Sequence, residues 1–135
     1  MKAILVRTDT GMSVVEMSDN PSFAECAKLI ECEWIEIVRP CGCKYVLIVD
    51  SDGLMHEEWH INFLASDLYG FFEHGSPIAG HAIIMKEEFV GGEPTLVGFT
   101  DEEVSEAYKE LAERYRNLIA SKKFRDFLDK VIGGD

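Results

Sequence analysis

The sequence predicts an α+β fold: a single, mostly antiparallel sheet of about six short strands in hairpins, packed by two helices and a long C-terminal helical segment. Short apolar runs between turn residues indicate the strands, and apolar residues at helical spacing indicate the helices. A chain of 135 residues has the usual length of one domain. We expect residues 1–100 to form the α+β body, with helices on one face of the sheet. Residues 101–135 are expected to form a C-terminal helical extension packed on the same domain.

Three pairs of apolar segments predict the hairpins. The pairs are 3–6 with 13–17 across TDTG, 33–40 with 44–50 across Cys41-Gly42-Cys43, and 77–85 with 95–99 across VGGEP. Asp9 and Gly11 in the first connection and the two glycines in the third suit turns. The run at 44–50 is apolar on both faces, which is typical of a central strand.

Two helices are predicted within the body. The first covers about 21–31, with Asn20 as the N-cap and Pro21 at the first helical position. The second begins near residue 61 and ends near Gly70 or Gly75, because glycine commonly terminates helices.

The C-terminal extension begins with a capping box, in which Thr100 caps the helix and Glu103 reaches back. The apolar stripe of this helix consists of Val104, Ala107, Tyr108, Leu111, Tyr115, Leu118 and Ile119. Glu110 and Arg114 are spaced for an ion pair one turn apart, and a shorter helix is expected over 124–132. One hypothesis is that the stripe buries surplus apolar surface against a second copy, giving a homodimer.

The charge balance is strongly acidic, with 25 acidic and 13 basic side chains and a net charge of −12. Residues 1–100 carry 16 of the acidic and 6 of the basic side chains. Such a chain repels phosphate backbones, so we expect no direct nucleic-acid binding. The acidity serves solubility, or it forms a face that meets a basic protein partner or imitates DNA.

The sequence contains no apolar run of the length needed to span a bilayer, and the apolar stretch before Arg7 at the N-terminus is only four residues long. We therefore expect no membrane association and a cytoplasmic location. The four cysteines are expected to be reduced thiols, as is usual in that compartment.

Residues 56–60 read HEEWH and match the H-E-x-x-H pattern of zinc peptidases. That chemistry needs both histidines on one face of a regular helix, with a third ligand nearby. The motif begins only three residues after Gly53, and no third ligand is evident. We interpret it as a loop in which Trp59 packs on the body, while a zinc-dependent hydrolase using His56, His60 and Glu57 is the alternative.

The remaining candidates for chemistry are weak. Cys41-x-Cys43 is a single thiol pair, whereas zinc sites usually combine two such pairs. Completion of a four-thiolate site would need Cys26 and Cys32, but Cys26 lies in the apolar stripe of the first helix and is expected in the core. We expect His74 and His81 to be satisfied or exposed. No catalytic residue, resident metal or cofactor is predicted.

Four residues are candidates for a binding surface: Trp59, Asn62, Asp50 and Asp52. Asp50 and Asp52 resemble the start of a calcium loop, but Gly53 comes too early and the terminal glutamate is missing. Asn62 is also expected to cap the second helix, and Gly80 to mark a close approach in the sheet.

Three motifs carry a resemblance to a known family: the V-D-x-D-G turn at 49–53, N-x-x-A-S at 62–66 and I-x-G-x-A at 78–82. Over residues 1–100 the chain resembles small proteins of bacteria, phages and conjugative plasmids that are classed only as a domain of unknown function. The resemblance implies an accessory protein of mobile elements and assigns no catalytic residues. It also places HEEWH in a linker between a strand turn and the helix near Asn62.

The sequence therefore favours a non-enzymatic interaction module. Its acidic surface or its C-terminal helix would contact an unidentified protein partner, which the net charge suggests is basic.

Overall fold

The computed structural model describes residues 1–9 and 11–132; Thr10 of the predicted first turn and residues 133–135 of the extension lie outside the described residues. The strands are β1 (Lys2–Val6), β2 (Met12–Glu16), β3 (Ile35–Val38), β4 (Val46–Asp50), β5 (Ala82–Val90) and β6 (Glu93–Val97). The helices are α1 (Phe23–Ile30), α2 (Phe63–Tyr69), α3 (Phe71–His74), α4 (Asp101–Ile119) and α5 (Lys122–Ile132), with a 3₁₀ turn at Gly53–Met55.

The strands form one antiparallel sheet in the order β2-β1-β5-β4-β3, with β6 paired to β5. The first half of β5 pairs with β1 and β4, and its second half extends as a ribbon with β6. Gly91 and Gly92 connect the ribbon with φ angles of 59° and 83°, which favour glycine. The predicted α+β fold and the first two hairpins are confirmed. The third hairpin is also present, but its strands are 82–90 and 93–97 rather than 77–85 and 95–99, because Val90, Glu93 and Pro94 of the predicted turn pair within the ribbon.

The core has two layers, one on each face of the sheet. Ile4, Leu47 and Ile84 pack with α2 and α4 on one face, while Leu5, Ile48 and Ile83 pack with α1 on the other. The expectation that the helices share one face was therefore wrong. Because the central strands β1, β4 and β5 are apolar on both faces, each face needs a helical cover.

Helix α1 begins later than predicted. Its N-cap is Ser22, whose Oγ accepts a hydrogen bond from the Glu25 backbone N–H at 3.0 Å. Asn20 and Pro21 lie before the helix, so their predicted roles were wrong. The helix ends at Glu31, which has a left-handed φ of 62°.

Helix α4 has the predicted capping box, since Thr100 Oγ1 accepts from the Glu103 N–H and the Glu103 carboxylate accepts from the Thr100 N–H. Its apolar side packs on the sheet of the same chain through Val104, Ala107 and Leu111. The stripe that motivated the homodimer hypothesis is therefore largely occupied within the protomer. None of the described helices is both long enough and apolar enough to cross a membrane.

The predicted pair between Glu110 and Arg114 does not form. Glu110 instead binds Lys44 at 3.0 Å, and Arg114 Nε donates to Asp67 Oδ2 at 2.8 Å. Both side chains reach partners outside their own helix, because α4 lies against α2 and Lys44 of the loop before β4. These longer-range contacts outweigh the weak preference for a pair within one helix.

Helix α5 starts at Lys122, two residues before the predicted position, and packs through aromatic rings. Phe124 and Phe127 make edge-to-face contacts with Phe63, Phe71 and Phe72, at centroid distances of 5.2 to 6.3 Å. Edge-to-face pairs of this kind contribute favourably beyond the area that they bury. The described part of the extension is thereby fixed on α2 and α3.

Candidate interaction surface

Two segments that are separate in the sequence, 31–36 and 50–60, lie side by side at one end of the sheet. Pairing of β3 with β4 places Ile35 opposite Asp50. The Ser51 N–H then donates to the Trp34 carbonyl at 3.0 Å. We refer to segments 31–36 and 50–60 together as the acidic surface.

The turn after β4 is built by Asp50 and Gly53. Asp50 Oδ1 accepts from the Asp52 N–H at 2.9 Å, and Asp50 Oδ2 lies 2.7 Å from Nε2 of His56. A Cβ on Gly53 would lie 2.7 Å from the Ala79 carbonyl oxygen, so only glycine fits this close approach. Asp50 therefore positions the turn, and both of its oxygens are already used within the chain.

The C-terminal end of segment 50–60 is held by a backbone hydrogen bond and by the side chain of Asn62. The Gly80 N–H donates to the His60 carbonyl at 3.0 Å. The Asn62 side chain accepts from the Ala65 N–H, which confirms the predicted cap, and donates to the carbonyls of Val6 and Gly80, each at 3.0 Å. Asn62 is only 1% exposed, so its assignment as a surface residue was wrong.

Three histidines border a small surface cavity of about 190 Å³: His56, His60 and His81. His81 Nδ1 accepts from the Thr8 N–H at 3.2 Å, so the neutral ring carries its proton on Nε2 and donates to the Glu31 carboxylate at 3.0 Å. His81 is thus satisfied, as predicted. His74, outside this cavity, is satisfied through the Tyr69 carbonyl at 2.8 Å.

The HEEWH segment is not helical, because the 3₁₀ turn ends at Met55 and α2 begins at Phe63. The prediction of a loop between a strand turn and the second helix is confirmed. His56 and His60 border the same cavity without projecting from one helical face. Within residues 1–9 and 11–132, no group of three or more His, Cys, Asp or Glu side chains is arranged to hold a metal ion. The helix required by the zinc-hydrolase alternative is not formed.

The cysteines do not form a common site either. Cys26 is buried on the α1 face of the sheet, as predicted, and Cys32 packs beside it, whereas Cys43 packs against the opposite face. Burial and the nearby charge of Asp50 raise the pKa of Cys32 to about 11. Its thiol therefore stays protonated at neutral pH and is a poor nucleophile.

The acidic surface contains seven carboxylates and neither lysine nor arginine. The carboxylates are Glu31, Glu33, Glu36, Asp50, Asp52, Glu57 and Glu58. All except Asp50 are exposed. Their ion-pair contacts within the described chain are those of Asp50 with His56 and Glu31 with His81. A negative potential therefore extends over this end of the molecule.

Large apolar side chains are exposed among these carboxylates. Trp34 is 67% exposed, Leu54 45%, Met55 82% and Trp59 44%. Both tryptophans of the chain lie on this surface. Tryptophan and methionine are enriched at protein interfaces, and tryptophan often carries a large share of the binding energy.

The structure brings together three of the four predicted surface candidates. Asp52 and Trp59 are exposed on the acidic surface, Asp50 supports the turn beneath them, and Asn62 is buried behind it. Sequence reasoning missed Trp34 and Met55. The absence of lysine and arginine from both segments, together with the predicted hairpin, was the signal that could have revealed them.

Comparison with known proteins finds no match to this chain. No protein-family model matches the chain, and neither a curated protein nor a solved structure shows significant similarity to it.

Proposed function

We propose that this chain is a non-enzymatic interaction module that binds a basic protein through the acidic surface. The observation that carries the proposal is the exposure of both tryptophans among seven carboxylates that have no lysine or arginine partner in the described chain. Desolvated aromatic anchors supply affinity at interfaces, and a surrounding field of one sign selects the partner and speeds association.

The local geometry supports recognition rather than catalysis. Asp50, His56 and His81 have hydrogen-bonding partners within the chain, and the Cys32 thiol is held in its unreactive form. Apart from the exposed imidazole of His60, the exposed groups that remain are mainly carboxylates and apolar side chains. Such groups suit a protein surface carrying lysines and arginines around an apolar centre.

Affinity capture with matched variants tests the proposal. The immobilised chain at low salt should retain a discrete set of proteins, and Trp34→Ser with Trp59→Ser should lose them. Phe23→Ser with Phe89→Ser is the matched control, because both phenylalanines are well exposed outside the acidic surface. Retention of the same proteins by both double variants would contradict the proposal.

Charge reversal tests the electrostatic part. Glu57→Lys with Glu58→Lys should weaken capture, whereas Glu102→Lys with Glu106→Lys makes the same change of net charge on exposed positions of α4 and should not. Binding by the unmodified chain should also fall as salt rises, because salt screens exposed charges. Equal effects of the two reversals would indicate a non-specific response to net charge.

We also propose that the module serves a mobile element as an accessory protein. The support is the resemblance over residues 1–100, which implies that setting. Sequencing the DNA on both sides of the gene tests it, since phage or plasmid genes are expected there. An operon of housekeeping enzymes would contradict it.

A further inference from the structure

A separate cleft of about 620 Å³ lies between α2, α4 and the loop before β4, at the opposite end of β4 from the acidic surface. Leu68, Leu111 and Leu118, which line it, are almost fully buried and supply its apolar part. A volume of this size is typical of sites for small molecules. The cleft combines an apolar lining with a few charged groups, as such sites do.

One wall of the cleft is closed by internal contacts. Lys44 Nζ lies 3.0 Å from Glu110 Oε1, and the Tyr45 hydroxyl donates to Glu110 Oε2 at 2.9 Å. Burial and this hydrogen bond raise the pKa of Tyr45 to about 12, so its hydroxyl keeps its proton. Both oxygens of Glu110 are therefore occupied.

The other wall contains a buried carboxylate with one open acceptor. The side chain of Asp67 is 6% exposed, and its Oδ2 accepts from Arg114 Nε at 2.8 Å. Its Oδ1 accepts no hydrogen bond within the described chain. Lys123 Nζ lies 3.4 Å from Oδ1, near enough for charge attraction but outside hydrogen-bonding geometry. A buried acceptor left without a hydrogen bond is unfavourable, and a ligand that donates to it removes that penalty.

The charges of the lining define the ligand. The three cations, Lys44, Arg114 and Lys123, balance the three carboxylates, Asp67, Glu110 and Glu113. A net-neutral lining gives no advantage to a charged ligand. Lys123 is half-exposed on α5, and its ammonium also lies 3.4 Å from Oε1 of the exposed Glu73, so it can leave Asp67 and remain near a carboxylate.

We propose that this cleft binds a small, uncharged and largely apolar molecule whose single N–H group donates to Asp67 Oδ1, in the place where the Lys123 ammonium now lies. The apolar body rests on the three leucines. The proposal does not depend on the acidic surface or on any protein partner.

Indole and 1-methylindole are matched probes, because they share a ring system and only indole has an N–H donor. Each probe is titrated into the isotope-labelled chain, and binding is monitored through the backbone amide NMR shifts. Indole should bind in the cleft about tenfold more tightly than 1-methylindole. Equal affinities, shifts outside the cleft, or no saturable binding of indole would each overturn the proposal.

Two variants locate the donor contact. In Asp67→Asn the amide oxygen accepts the hydrogen bond from Arg114, so the NH₂ group points towards the cleft. Because an NH₂ group cannot accept a hydrogen bond, the preference for indole should be abolished. Lys123→Met leaves the buried Asp67 unchanged, so it tests the contact even if Asp67→Asn fails to fold. It should strengthen indole binding about threefold, because it removes the competing ammonium. Lys122→Met is the control on the same helix turn and should leave indole affinity unchanged. Equal or weaker indole binding by Lys123→Met would contradict the displacement of Lys123.

Discussion

The side-chain amide nitrogen of Asn62 lies 3.0 Å from the carbonyl oxygen of Val6, and this contact joins the start of α2 to the end of β1 across 56 positions of the chain. The same nitrogen also donates to the Gly80 carbonyl, and the side-chain oxygen caps α2. One buried amide thus connects the end of a strand, the start of a helix and Gly80, whose N–H in turn holds the His60 carbonyl at the end of the acidic surface.

Replacement of Asn62 should destabilise the fold strongly. Asn62→Ala removes a helix cap and leaves two carbonyls without their donor, so we expect the free energy of unfolding to fall by about 2–4 kcal/mol. Denaturant unfolding measures it. Ser22→Ala, which removes the exposed cap of α1, is the control and should cost about 1 kcal/mol or less. Asn62→Asp retains the acceptor but not the donor; if it is as stable as the unmodified chain, the contacts to Val6 and Gly80 have no importance.

Gly53 should tolerate no side chain. In Gly53→Ala the new Cβ would lie 2.7 Å from the backbone oxygen of Ala79, and a backbone atom cannot move away as easily as the end of a flexible side chain. We expect a loss of about 1–3 kcal/mol in denaturant unfolding. Gly91→Asn is a suitable control, because Gly91 has open space around it and asparagine accepts a left-handed φ. Equal stability of Gly53→Ala and the unmodified chain would show that the turn adjusts freely.

The strands were predictable because their apolar runs and turn residues are local signals, and the capping box at Thr100 is local as well. The start of α1 was misplaced because several residues before it can cap a helix. The spacing of Ser22 and Glu25, the two ends of a capping-box pattern, would have favoured Ser22. Local sequence patterns therefore predicted most of the strands and helices.

The acidic surface and the cleft were only partly predictable, because both depend on contacts between distant residues. Glu110 binds Lys44, 66 positions away, in preference to Arg114 one turn along the same helix. Trp34 reaches the acidic surface through the register that pairs Ile35 with Asp50. Hydrophobic spacing predicts that two strands pair, whereas the register decides which surface residues become neighbours.

The pH dependence of stability should reveal the carboxylate of Glu103. Its hydrogen bond from Lys86, followed by that from the Thr100 N–H, lowers its pKa from 4.5 to about 2. The folded state therefore holds this carboxylate ionised at pH values where the unfolded state has bound a proton. The resulting stabilisation is complete above pH 4.5 and is lost as the pH falls towards 2.

Thermal unfolding of Glu103→Gln tests this linkage. The Tm of the variant should lie below that of the unmodified chain at neutral pH, and the difference should shrink between pH 4.5 and about 2. Glu102→Gln, on the same exposed turn, should show no such convergence. A Tm difference that stays constant over the interval would exclude Glu103 as the titrating group.

Tyr45 should ionise later than an ordinary tyrosine. Burial first, and then its hydrogen bond to Glu110, raise its pKa from 10.0 to about 12. The folded state retains a proton that the unfolded state releases, so this contribution to stability is present below pH 10 and is lost as the pH rises towards 12. Absorbance at the wavelength of tyrosinate should show a late titration phase that is absent from Tyr45→Phe, with circular dichroism confirming that the chain is still folded. A late phase that survives in Tyr45→Phe would assign it to another tyrosine.

The two causes of the Tyr45 shift can be separated in the same titration. Glu110→Gln removes the negative charge that opposes ionisation of the phenol, yet it leaves the ring buried against Phe99, whose centroid is 5.7 Å away. Since burial is the larger cause, the pKa of Tyr45 should fall only part of the way from about 12 towards 10.0. A fall to the ordinary value would mean that the Glu110 contact, and not burial, keeps this hydroxyl protonated at the edge of the cleft.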